Sequence, residues 1–313
     1  MFRSAAGPPI RVPMIEDSRT RRALATLAIS LVVVGPTASP VGSALVATNG
    51  KIAFASFRTG TQDIFVMNAD GSGQTQITHD ATVSFRPAWS PDGTRIAFVG
   101  TREDNTDIFV MNADGTGETR LTTDPALDDQ PAWSPDGTKI AFASTRSGLE
   151  QVFVMNADGS GQTQLTSDPA GESQPAWSTD GTRIAFVSHR TGNSDVFLMA
   201  PDGSNPVQLT TDPDTDSQPA WSPDATRVVF VSTRTGTAEI WLMSIDGSGQ
   251  QQLTVDAALE VDPEWSPDGT KIAFTSTRDG RADVYVMLAD GTGQTRYTTD
   301  AANDEAPSWQ AQP

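Results

Sequence analysis

An all-β fold made from six copies of one unit is what the sequence predicts, and three observations carry the prediction. Trp recurs at positions 89, 133, 177, 221, 265 and 309, each step being 44 residues. Asp70, Asp114, Asp158, Asp202, Asp246 and Asp290 keep that step, and so do Arg58, Arg102, Arg146, Arg190, Arg234 and Arg278. Six such units fill residues 50–313 with no insertion or deletion. Four-stranded units repeating every 40 to 45 residues or so are the mark of a β-propeller, here with six antiparallel blades.

Each strand of the unit can be justified in turn. Pro-Ala-Trp is read as the start of the first strand, and Ser-Pro-Asp-Gly (90–93, 134–137, 266–269) turns the chain. That order suits a type I turn, because Pro presets φ at its second position and Gly tolerates the fourth. Arg95 to Val99 and Asp107 to Met111 follow as the second and third strands. Both are apolar on two faces, as strands covered by neighbouring sheets should be. Asn112-Ala113-Asp114-Gly115 is a hairpin signal, and Leu121-Thr122 reads as a short outer strand. Residues 51–78 supply strands two to four of a blade that has no Trp strand ahead of it. Ala306-Pro307-Ser308-Trp309 is a Trp strand with nothing after it. The C-terminal strand is therefore expected to complete the N-terminal blade and leave no open edge.

The run Pro-Ala-Trp-Ser-Pro-Asp-Gly-Thr-x-Ile-Ala-Phe, followed by Asp-Ile-Phe-Val-Met-Asn-Ala-Asp-Gly, resembles the WD-like repeat of TolB-type propellers over residues 50–313. The resemblance implies a protein-binding role at the bacterial cell envelope, where TolB-type propellers bind a lipoprotein. An α/β domain precedes the propeller in TolB itself. Only 49 residues stand before the first repeat here, so a stand-alone relative is expected.

Residues 1–47 differ in character from the repeats. Arg19, Arg21 and Arg22 precede the apolar run Ala23 to Val34, which Gly35 and Pro36 end. Twelve residues is too short to cross a bilayer, but it fits the core of a secretory signal, with Ala38, Ala44 and Ala47 as cleavage candidates. Thr20 to Leu24 is also a partial twin-arginine pattern. The mature chain, 48–313, is thus expected outside the cytoplasm as a monomer without a transmembrane span; an uncleaved anchor is the alternative. The chain carries 21 Lys plus Arg against 39 Asp plus Glu, a formal charge of −18. Such acidity disfavours nucleic acid as a partner. No Cys is present, which leaves no disulfide framework and no thiolate metal site.

Signals for catalysis are poor. There are only two His, His79 and His189, and no Gly-x-Ser-x-Gly elbow. The Asn-x-Asp-Gly-x-Gly turns lack the further oxygen ligands and closing Glu of a calcium loop. No cofactor is expected. A carboxylate-held cation such as calcium in the central channel, serving an enzyme or a carbohydrate-binding protein, is the alternative, since Gln130-Pro131-Ala132 becomes Asp262-Pro263-Glu264 in the sixth unit. The six repeated Trp and Trp241 are read as core. The repeated Arg is read as pairing with the acid that begins the third strand: Asp63, Asp107, Asp195, Glu239 or Asp283, with Gln151 the exception.

The segments 79–86, 123–130, 167–174, 211–218, 255–262 and 299–306 are expected to be rim loops. They hold 15 acidic residues and one basic one, Arg86. Six acids, from Asp80 to Asp300 in steps of 44, are read as loop-folding residues. Nine others are read as non-recurring and free for recognition: Asp128, Asp129, Glu172, Asp214, Asp216, Glu260, Asp262, Asp304 and Glu305. Clustered charge steers a partner of opposite sign, so the expected partner is a protein or peptide segment of basic character. Phe57 and His189 replace a Thr of the repeat, and His79, Phe85 and Arg86 replace small or acidic residues. Exposed Phe, Arg and His are good interface anchors. The candidate binding residues are therefore Phe57, His79, Phe85, Arg86, Asp128, Asp129, Gln130, His189 and Asp262.

Overall fold

A computed structural model describes residues 48–79 and 82–312. The leader expected over 1–47 and the loop acid Asp80 lie outside the described residues. The rest forms six four-stranded antiparallel sheets. In the third blade the strands run Asp128–Trp133, Lys139–Ser144, Gln151–Asn156 and Thr163–Gln164, from the channel outward. The second and third strands of every blade are almost wholly buried. Apolar side chains on both faces interleave with the blades on either side, and one cluster joins Ile64 and Val66 of the first blade to Phe98 and Met111 of the second.

Closure follows the expected scheme. Strand Asp304–Gln312 pairs with Thr48–Ser56, from Thr48 opposite Gln312 to Ser56 opposite Asp304. Trp309 is buried there opposite Ile52. Five of the repeated Trp are buried; Trp177 is half-buried, as is Trp241.

The turns explain their own sequence. Gly93 N donates to Ser90 O at 2.8 Å, while Asp92 Oδ1 accepts from the Ser90 hydroxyl at 2.6 Å and Thr94 N at 3.1 Å. On the other rim Asp114 Oδ1 accepts from Thr116 N and Oγ1. Gly115 has φ +84 and a Cβ there would lie 2.2 Å from Ile77 O, so no other residue fits.

Three expectations need correcting. The inner strand does not begin at Trp: it starts at Val83, Asp128, Glu172, Asp216, Glu260 or Asp304 and ends at Trp in five blades, while the closing strand runs on to Gln312. The outer strand sits two residues early, at Thr119–Arg120 in the second blade. The repeated Arg does not pair with the third-strand acid. Its Nε donates to the Ser two residues before it, Arg146 to Ser144 at 2.8 Å, which turns the guanidinium toward the inner strand. There Arg146 meets Asp128 at 2.7 Å, Arg58 meets Asp304 at 2.9 Å, Arg234 meets Asp216 at 2.8 Å and Arg278 meets Glu260 at 2.9 Å. Arg190 pairs with Glu172 in the same way. The third-strand acids instead accept from the Thr after the outer strand, as Asp63 does from Thr78 at 3.0 Å.

The second blade departs from this scheme in three columns at once. Gly100 stands where the Ser should be, Ser84 where the acid should be, and Glu118 replaces the Gln that caps the guanidinium in four other blades, as Gln162 caps Arg146 at 2.6 Å. Arg102 bonds the Ser84 hydroxyl and pairs with Glu118 at 3.2 Å. The carboxylate has moved from one side of the same guanidinium to the other.

Candidate functional site at the channel mouth

Each inner strand carries a register shift just before its Pro: between Phe85 and Ala88, Asp129 and Ala132, and likewise in the other blades. The residue in the bulge has positive φ in all six: Arg86 49°, Gln130 59°, Gln174 52°, Gln218 51°, Asp262 53° and Ala306 53°. A left-handed residue that is not Gly costs about 1–3 kcal/mol and persists only where its surroundings enforce it. Here the bulge aims six side chains into the central channel, and side chain to backbone bonds tie them together. Gln130 Oε1 accepts from Gln174 N at 2.7 Å, Gln174 Oε1 from Gln218 N at 2.6 Å and Gln218 Oε1 from Asp262 N at 2.9 Å.

The ladder changes at the last three members. Asp262 accepts from Gln218 Nε2 at 2.6 Å and from the Thr275 hydroxyl at 3.0 Å. Ala306 has no side chain to continue the ring. Arg86 reaches Asp129 Oδ2 at 2.5 Å, while Asp129 Oδ1 accepts from Gln130 N at 2.6 Å. Arg86 also acts at longer range on Asp262, Glu150 and Glu305, pulling each carboxyl toward its ionised form. Burial outweighs that pull and raises all three above the usual carboxylate range; Asp129 adds to the rise at Glu150, and Asp262 to the rise at Glu305. One guanidinium therefore pairs with Asp129 and lies within electrostatic reach of three further carboxyls.

The rim assignment places the strand two-to-three loops beside the entry to the inner strands: Phe57 N donates to Asn303 O and Glu172 N to Glu150 O. Phe57 is exposed on the first blade, and His189 is exposed on the fourth with its Nδ1 3.2 Å from Gly171 O. His79 is exposed as well. Phe85 is not an exposed anchor: it is half-buried and packs against the clusters on both faces of the second blade. Asp128 is not a recognition acid either, being fully buried on Arg146. Glu172, Asp216, Glu260 and Asp304 share its column and its fate, so five of the nine acids read as non-recurring do recur once Asp and Glu are counted alike. In these blades the inner strand begins three residues before its Pro, so these acids lie in the strand and not in a rim loop. Glu150 was missed, although it stands alone in a column of Gln62, Thr106, Ser194, Ala238 and Ala282. Comparing columns would have found it.

Below the mouth the channel is a cavity of about 840 Å³ walled by Pro, Ala and Trp of the inner strands. Among the described residues no three His, Cys, Asp or Glu are placed to hold a metal ion, so the channel-cation reading finds no ligand set there. No helix among them is long and apolar enough to cross a membrane.

Six four-stranded antiparallel blades around a central channel define a β-propeller. The chain belongs to the TolB β-propeller domain family, whose pattern matches residues 14–167, 130–219 and 212–313. It is similar to the crystal structure of TolB from Acinetobacter baumannii (TM-score 0.77, 20% identity), covering 83% of this chain and 66% of that one. The putative TolB from Agrobacterium tumefaciens is also similar (TM-score 0.68, 20% identity), with 85% of this chain and 99% of that one covered. So is a chain of the Kuenenia stuttgartiensis hydrazine synthase (TM-score 0.72, 17% identity), over 85% of this chain and 47% of that one. At such identities the likeness is one of fold, and the fold serves unlike functions. No curated protein matches in sequence.

Proposed function

We propose that the chain is a non-catalytic binding scaffold, exported to the cell envelope, that holds a protein segment across the channel mouth. The observation that carries this reading is the mouth itself. Arg86 is set among Asp129, Glu150, Asp262 and Glu305, and all five depart from or stand outside the Gln ladder that the other blades keep. The surplus of carboxyl over guanidinium favours a basic segment, and exposed Phe57 offers an apolar anchor on the same rim. The basic flank and short apolar core within residues 1–47 support export.

Pull-down from a bacterial envelope extract, followed by binding kinetics on the recovered partner, tests the reading. Asp129→Asn is expected to slow association and flatten its salt dependence, as loss of a steering charge does. Phe57→Ala is expected to speed dissociation, by roughly tenfold or more if it is an anchor, about 1.4 kcal/mol. Unchanged binding in both, with loss of binding on substituting the opposite-rim Asp114 turn, would place the site on the other face.

A further inference from the structure

Halfway down the channel the repeat is broken by one carboxyl. Where the other blades present Ala88, Ala132, Ala176, Ala220 and Ser308 to the cavity, the sixth presents Glu264. Desolvation is the sole influence on this carboxyl and raises it to about 7; no hydrogen bond or cation among the described residues offsets it. Proline and indole surround it. An unpaired carboxylate in such a wall costs stability, and Ala in four blades shows that the fold does not require it. A group of this kind invites a counter-charge from outside.

We propose that the middle of the channel binds a primary ammonium group carried on an apolar stem, with Glu264 as counter-charge and the Trp-lined wall as the bed for the stem. A hard divalent cation would ask for six or more oxygens, which one carboxylate among Pro and Trp cannot supply. An ammonium needs a single charged acceptor and is also attracted by indole faces. The cavity, at about 840 Å³, is of the size that takes small organic ligands. The inference does not depend on what docks at the mouth.

The other titratable groups lining the channel are Arg86 and Asp262 at one end and Asp224 and Asp268 at the other. Arg86 is engaged by Asp129. Asp224 is held low by the Ser222 hydroxyl, and Asp268, despite its burial, by Thr270 and Ser266, so both stay ionised. Asp262 is raised by burial, and a charge-removing variant at 264 separates its effect from that of Glu264.

The channel indoles supply the readout. Trp fluorescence of residues 48–313 within the intact chain is titrated with hexylamine, with hexanol as the neutral match and a capped lysine tripeptide as the peptide-borne form of the same ammonium. Hexylamine is expected to bind roughly tenfold more tightly at pH about 8 than at about 6. Glu264→Gln is expected to lose at least about tenfold at the higher pH and to lose the pH dependence. Glu264→Ala, which restores the residue of the repeat, should behave alike and guards against a folding defect in the first variant. Competition by the lysine peptide would assign the ammonium to a peptide, and its failure to compete would assign it to a free amine. Equal affinity in parent and variants, equal binding of hexanol, or no saturation up to about 10 mM hexylamine would each overturn the proposal.

Discussion

Arg146 shows how much one side chain does in this repeat. Its guanidinium lies 4.8 Å from the centre of the Phe153 ring, donates from Nη1 to Gln162 Oε1, and donates from Nη2 to both oxygens of Asp128, whose side chain is fully buried. Stacking together with three donors held in one plane is open to Arg and not to Lys. Arg146→Leu would leave Asp128 buried without its cation, at a cost of about 3–5 kcal/mol. Adding Asp128→Asn should recover part of that loss, because the remaining amide carries no charge. Denaturant unfolding of the two single variants and the double gives the coupling directly; additive effects would mean that the pair contributes little. This pairing was half legible in the sequence. The 44-residue step marks both columns, but spacing cannot say which of two acids flanking the same strand the Arg will choose. The Ser at the end of the second strand decides it, by fixing Nε and so the direction of the guanidinium.

At the scale of the strand, the ring depends on its last element. Asp304–Gln312 is longer than the six-residue inner strand of the third blade and runs beside Thr48–Ser56. Gln310 fastens it further, accepting from Lys51 N at 3.0 Å and donating to Gly93 O of the next blade at 2.7 Å. Deleting residues 303–313 should therefore remove Trp309 from the core, a loss of about 3–5 kcal/mol for a large aromatic, and expose an unpaired edge. Thermal melting and light scattering are expected to show a much lower melting temperature and aggregation. A truncated chain that melts like the parent would place the seam elsewhere. Closure could be read from the sequence because a strand missing at one end and spare at the other leaves only one way to complete six equal sheets.

For the whole molecule, acidity acts in two opposite directions. Asp70, Asp114, Asp158, Asp202, Asp246 and Asp290 are held below their usual range of 3.8 by Ser or Thr of their own turns. A lowered folded-state value means stability that is present above 3.8 and lost as the pH falls through the folded value. Glu264 has the reverse sign. Its carboxyl rises from 4.5 to about 7, so its contribution falls as the pH climbs through that window. Scanning calorimetry across pH should show cooperative loss of stability on the acid side and a shallow decline between 4.5 and about 7. Glu264→Gln should make this decline smaller, the remainder belonging to carboxyls such as Asp262, Glu150 and Glu305 that burial also raises. A variant profile identical to the parent over that window would show that the Glu264 carboxyl is not desolvated.

The repeat alone determined the number of blades, their four strands each and the closing seam, because each follows from the period and from local turn chemistry. Asp262 and Arg86 could be marked as departures from the repeat in the same way. What they do was decided only by the tertiary structure. A bulge before each Pro turns one residue per blade toward a common axis, so six residues spaced 44 apart in the chain become neighbours around a mouth. The same fold hides Asp128 and its four equivalents against Arg while gathering Glu150 and Glu305 near Arg86. Acids that look alike along the chain thus separate into a buried structural set and a set around Arg86, since strand register and not spacing sets which face of the sheet a side chain occupies.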